Sequence, residues 1–222
     1  MRRILGKRAS VASAIILLLV ASSASAGHDL WYDVTHSSYT KDAYATITTS
    51  TSYGAYGPED IDFSTDLPAG YDVAQQTGTS PISPIPADEE VVGGGTITAD
   101  WLPLCTRGHR NITVKWEATI PSSAPANTVA ALSFEDGIFS IDGYVVRQGA
   151  SDYQVIAALP STLFCGAVNG SLTLTFLGST AAGNKFVQNP ATAGNYTWNT
   201  SYVDTNGASH SDSDTVTITI TN

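Results

Sequence analysis

Four histidines, two cysteines and three groups of carboxylates are the side chains in this 222-residue chain that have chemistry to offer. His28 and His36 stand eight residues apart, an even spacing that would place both on one face of a strand, where imidazoles could hold copper or zinc. Solvated surface histidines are the simpler account. Nucleophilic catalysis needs a Ser or Cys beside a His that a carboxylate orients, and no Gly-x-Ser-x-Gly turn is present to offer the nucleophile. A non-catalytic protein is therefore expected, with a metal-binding or hydrolytic enzyme as the remaining alternative.

The carboxylates gather at Asp60, Asp62 and Asp66, at Asp88-Glu89-Glu90, and at Asp204, Asp212 and Asp214. Calcium takes oxygen ligands from loops between strands, so Asp204, Asn206, Asp212 and Asp214 form a candidate structural calcium site. The stretch lacks both the repeated Asp-x-Asp-x-Asp-Gly run and the bidentate Glu of an EF-hand. Turns also attract Asp and Asn because these residues tolerate tight backbone geometry, which is the plainer reading. No other cofactor is expected. Tyr39, Tyr44, Tyr53 and Tyr56 crowd a Thr- and Ser-rich region just after Trp31 and Tyr32. If exposed, they would stack on sugar rings and make a glycan-binding surface. If half-buried, they are ordinary strand residues.

Strands are the elements that must position these groups. Asn111-Ile-Thr-Val-Lys-Trp-Glu-Ala118 sets Ile112, Val114, Trp116 and Ala118 on one face against Thr113, Lys115 and Glu117. Residues 171–177 and 215–221 alternate in the same way, the latter turning Val216, Ile218 and Ile220 inward. Residues 42–51 place Ala43, Ala45 and Ile47 opposite Tyr44, Thr46 and Thr48. Period-two patterning of this kind marks half-buried strands. Further strands are expected at 30–37, 60–66, 70–75, 95–101, 128–134, 138–147, 153–158 and 194–203. Gly93-Gly94-Gly95, Asp136-Gly137, Asp142-Gly143 and Asn206-Gly207 read as punctuation between them. Residues 75–90 and 178–193 read as loops, and only 122–132 could host a short helix.

The first eight residues hold Arg2, Arg3, Lys7 and Arg8, an apolar run covers Ala14 to Ala21, and Ala24-Ser25-Ala26 follows. Together these make a secretory signal over residues 1–26, leaving 27–222 as the working chain. Six cations then face 20 carboxylates, and the formal net charge of −10 becomes −14. Nucleic acid and anionic membranes both need clustered Lys and Arg, so they are excluded as partners, and no membrane span remains. An extracellular protein or a glycan is the partner class left open, and the location is secreted or cell-surface. In an oxidising compartment Cys105 and Cys165, the only thiols, are expected to form one disulfide. Closing that loop contributes roughly 4 kcal/mol in the chain-entropy account.

Several segments resemble bacterial secreted β-sandwich proteins of the immunoglobulin-like kind. The resemblance rests on Pro58-Glu-Asp-Ile-Asp-Phe63, Asp66-Leu-Pro-Ala-Gly70, Val91-Val-Gly-Gly-Gly-Thr-Ile-Thr98, Val145-Val-Arg-Gln-Gly-Ala-Ser-Asp-Tyr153 and Phe186-Val-Gln-Asn-Pro190. Their order matches over residues 40 to 190. Ala193-Gly-Asn-Tyr-Thr-Trp198 is similar to a strand of bacterial immunoglobulin-like domains. The chain lacks the further Cys such proteins would carry near Val91–Thr98, and no catalytic residue is implied. The expected fold is all-β, an immunoglobulin-like β-sandwich with a single disulfide. It would be one extended sandwich or two packed ones, divided near 94 or 121–127. Its expected role is structural or adhesive.

Overall fold

The structure, a computed structural model, describes residues 30–55, 61–101, 104, 106–150, 152–159, 168–204 and 211–222. Residues 1–26, where a secretory signal is expected, and His28, Tyr56, Asp60, Cys105, Cys165, Asn206 and His210 lie outside the described residues. Thirteen strands run in chain order: β1 Trp31–His36, β2 Ile47–Ala55, β3 Ile61–Leu67, β4 Asp72–Val73, β5 Val91–Trp101, β6 Thr106–Trp116 and β7 Thr128–Glu135. They continue as β8 Ser140–Arg147, β9 Tyr153–Leu159, β10 Val168–Phe176, β11 Val187–Gln188, β12 Gly194–Asp204 and β13 Ser211–Ile220. No helix occurs among the described residues, so none there is long and apolar enough to cross a membrane. Residues 122–127 turn rather than coil, and β7 begins at Thr128.

The all-β class agrees with the sequence, and every expected strand has a counterpart. Eleven strands join in one sheet ordered β1-β2-β10-β5-β6-β7-β8-β9-β3-β12-β13. An immunoglobulin-like sandwich would divide its strands between two sheets. Here the two edges of one sheet approach each other instead, giving a nearly closed, barrel-like arrangement. The Tyr32 N–H donates to Asp214 Oδ2 at 2.9 Å, and the Thr221 N–H to the Tyr39 carbonyl at 2.7 Å. The Lys41 N–H donates to the Thr221 carbonyl at 2.9 Å, completing a short parallel bridge between Thr40 and Thr221. Closure of this kind removes edge strands that would otherwise pair with other chains. β5 runs through residue 94, and β6 and β7, on either side of 121–127, pair with each other.

Alternation decides what fills the interior. Ile112, Val114 and Trp116 of β6 point inward, as do Leu172, Leu174 and Phe176 of β10 and Ile218 and Ile220 of β13. Ala118, expected on the inner face, lies past the end of β6 and is exposed. One end is covered by the segments 68–90 and 178–193, which meet in the small β4–β11 sheet. From it Phe186 packs on Trp116 and Phe176, and Tyr71 packs on Trp198. At the other end Trp101 stacks on Phe139, and the Arg110 guanidinium lies 4.2 Å from the centre of the Trp101 ring. Between them Phe63, Phe134, Phe139 and Leu172 enclose an apolar void of only about 20 Å³. That is space for one water at most, so the interior is a packed core and not a ligand chamber.

Two glycine signals read as punctuation lie inside strands. Gly93, Gly94 and Gly95 form the middle of β5, where a Cβ on Gly95 would stand 1.7 Å from the Thr173 carbonyl oxygen of β10. A Cβ on Gly143, within β8, would stand 2.0 Å from the Phe134 ring. Glycine is present here because neighbouring strands or rings press against the backbone, and not because the chain turns.

Candidate functional site

His36 is buried on the inner face of β1, among three rings. Its centroid lies 5.3 Å from Tyr39, 5.8 Å from Tyr71 and 5.6 Å from Trp198. Its Nε2 stands 2.9 Å from the Tyr71 hydroxyl, and its Nδ1 has no partner within the protein. Burial lowers its pKa to about 4, and burial raises that of Tyr71, which keeps its proton. The imidazole is therefore neutral near pH 7 and shares one hydrogen bond with the Tyr71 hydroxyl through Nε2. This is an interior group holding the covered end together. A metal at Nε2 would have to displace Tyr71. His109 is exposed, with Nδ1 at 2.7 Å from the Thr98 hydroxyl.

The expected calcium residues are spread along the β12–β13 hairpin: Asp204 ends β12, and Asp212 and Asp214 lie near the start of β13. Asp214 is committed to the seam, with Oδ2 accepting from Tyr32 N–H and Oδ1 from Thr215 N–H at 2.7 Å. Asp66 likewise accepts from Gln154 Nε2 at 3.0 Å and from Asn199 Nδ2 at 2.9 Å. Asp88 and Glu89 have Glu117 beside them, all three carboxylates within 4.8 Å of one another. The Lys115 ammonium, 2.9 Å from Glu89 and 2.8 Å from Glu135, neutralises part of that charge.

Of the four tyrosines, Tyr39 and Tyr44 are described with their surroundings, and Tyr53 lies on β2. Tyr39 is 41% exposed and Tyr44 39%. Tyr44 points outward, as the alternation implies. Neither ring is free on both faces: Tyr39 leans on His36, and the Lys185 ammonium sits 4.8 Å from the centre of the Tyr44 ring.

A well-formed concavity lies elsewhere among the described residues. Through Ser123 and Pro125 the β6–β7 connection arches over β8 and its neighbours, leaving a cleft of about 630 Å³ that the core residues Phe63 and Ile141 and the half-buried Ala157 also line. Its floor is a single lateral row, because Tyr144 of β8 is opposite Ile156 of β9, Ile156 opposite Ser64 of β3, and Ser64 opposite Ser201 of β12. Ser123 and Pro125 line the arch, and Asp142 and Ala158 stand beside the row. The Tyr144 hydroxyl donates to Asp142 Oδ2 at 3.3 Å, and Ser64 and Ser201 bond each other at 2.8 Å. Burial, then the Asp142 charge, raises the Tyr144 pKa, so the phenol stays neutral. Such a floor can hold an apolar body by contact and present one carboxylate to it.

Sequence reasoning did not reach this cleft. Its floor comes from four strands far apart in the chain, and its arch falls where a division or short helix was expected. The one local signal was Tyr144, outward on a strand whose Ile141, Gly143 and Val145 face inward. No protein-family model, curated protein or solved structure matches this chain.

Proposed function

We propose that this is a non-catalytic exported protein that acts by binding, and that the cleft over β8, β9, β3 and β12 is where it binds. The cleft carries the reading. About 630 Å³ falls within the range of small-ligand sites, and mostly apolar walls with a few convergent polar groups are what such sites use. Support also comes from the acidic side chains, since Asp66, Asp136 and Asp214 each spend their oxygens on amides or guanidinium that fix the fold. Fragment screening by amide NMR tests it: fragments should shift Tyr144, Ile156 and Ala158. Shifts confined to other surfaces would refute the reading.

Kinship with bacterial secreted immunoglobulin-like proteins is part of the proposal, supported by the quoted segments and the all-β architecture. So is the Cys105–Cys165 disulfide. Support comes from the strands nearest to them in sequence: Ser171 pairs with Thr98, so the Trp101 end of β5 and the Val168 end of β10 lie at the same end of the sheet. Alkylation without reductant should leave both thiols unmodified by mass. A glycan-binding role for Tyr39 and Tyr44 is the second reading, supported by their exposure. A glycan array probed with folded protein tests it, and silence would remove it.

A further inference from the structure

Among the described residues that line it, the cleft holds one carboxylate and no cation. Asp142 is exposed on β8, and its only side-chain partner among the described residues is the Tyr144 hydroxyl. Five cations among the described residues are engaged elsewhere. Arg107 faces Asp100, Arg110 faces Asp136, and Lys115 lies between Glu89 and Glu135. Arg147 reaches Gln75 and the Tyr153 ring, and Lys185 covers Tyr44. Resting on the reading of the cleft as a binding site, we propose that it selects a small organic cation: an amine or ammonium group carried on an apolar or aromatic body.

Three features of the cleft separate this class from its competitors. An anion would meet Asp142 in a chain whose net charge is already −10, with no compensating cation in the lining. A sugar would need several free donors and acceptors, but Ser64 and Ser201 bond each other and keep one free hydroxyl proton between them, and Gln154, Asp66 and Asn199 bond one another in a row beside them. A neutral apolar ligand would cover Ile156, Ala158 and Pro125 yet strip water from the Asp142 carboxylate without replacing it. An ammonium group meets that carboxylate. From there it also reaches the Tyr144 ring, which stands two residues on along the same face of β8, and cation–π attraction adds to the ion pair. The negative field of the whole chain favours its approach.

Three probes of one shape test the assignment: phenethylamine, 2-phenylethanol and phenylacetate, titrated into the folded protein at pH 7 and low salt, with cleft amide shifts and calorimetry as readouts. The amine should bind about tenfold more tightly than the alcohol, the sum expected of an exposed ion pair and one cation–π contact, and phenylacetate should not bind. Added salt should weaken the amine alone. Asp142→Asn should weaken the amine and bring amine and alcohol within about fivefold of each other, the difference that one cation–π contact leaves. Equal binding of amine and alcohol to the unaltered protein would overturn charge selection and leave the cleft reading intact. Failure of all three probes to move the resonances of Tyr144 and Ile156 would overturn both. Tighter binding of a neutral oligosaccharide such as chitotriose would overturn the assignment of ligand class.

Discussion

Acid should loosen this barrel through one side chain. His36 is 8% exposed and titrates at about 4 in the folded chain against 6.5 when free, because burial penalises its charged form. No carboxylate is among its ring neighbours, which are Tyr39, Tyr71 and Trp198. With a folded pKa below the unfolded one, the unfolded chain takes the proton first. The contribution is therefore complete above the unfolded value and is lost as pH falls toward the folded one. At about 1.4 kcal/mol per unit, the shift has a ceiling of about 3 kcal/mol, of which about 2 kcal/mol is lost between pH 7 and 5. Carboxylates titrate over part of that window, so the comparison must be with His36→Gln, which keeps a partner for Tyr71 and removes the titration. Urea unfolding at pH 7 and at pH 5 gives four stabilities. The unaltered chain should lose about 2 kcal/mol more than the variant across that interval. Equal losses in the two proteins would show that His36 is not held neutral in the interior, and the reasoning would fail.

Other consequences follow from close contacts. Gly143→Ala puts a methyl group into the Phe134 ring, so the urea midpoint should fall by the equivalent of about 1–3 kcal/mol. Asp214→Ala leaves the Tyr32 and Thr215 amides without their acceptor. It should cost about 1–3 kcal/mol, with hydrogen exchange at Tyr32 accelerated more than at mid-sheet amides such as Leu174. Burial works against the Asp136 charge, but the Phe139 N–H, Arg110 and the Ile138 N–H together hold its carboxyl below the usual range. Its contribution is present above the unfolded carboxylate pKa and disappears as pH drops through the folded one, and Arg110→Ala should shrink that acid-sensitive part of the unfolding curve.

The strands were legible because their signal is local. Ile112, Val114 and Trp116 lie two residues apart, and a half-buried strand imposes that period wherever it sits. Tyr44 is outward as the same period implied, although it lies three residues before β2 begins. Partnership is a different matter. Nothing near Phe63 says that β3 lies between β9 and β12, or near Leu172 that β10 lies between β2 and β5, since those choices come from contacts between distant segments. Gly93-Gly94-Gly95 illustrates the ambiguity: glycine serves a turn and a crowded strand crossing equally well, and only the approach of Thr173 distinguishes them. Asp88 and Glu89 were visible as a cluster, whereas Glu117 joins them only through the fold.

By itself the sequence determined an all-β chain, twelve of the thirteen strands among the described residues, the inner faces of the clearest ones, and an excess of acidic over basic side chains. Those are properties of composition and of residues i and i+2. Tertiary structure alone decided that the strands close into one sheet, that His36 is an interior residue, and that Tyr144, Ile156, Ser64 and Ser201 share a floor. Each of these depends on which strands lie side by side, and lateral pairing is chosen by the burial of whole faces against one another, which no short window of residues contains.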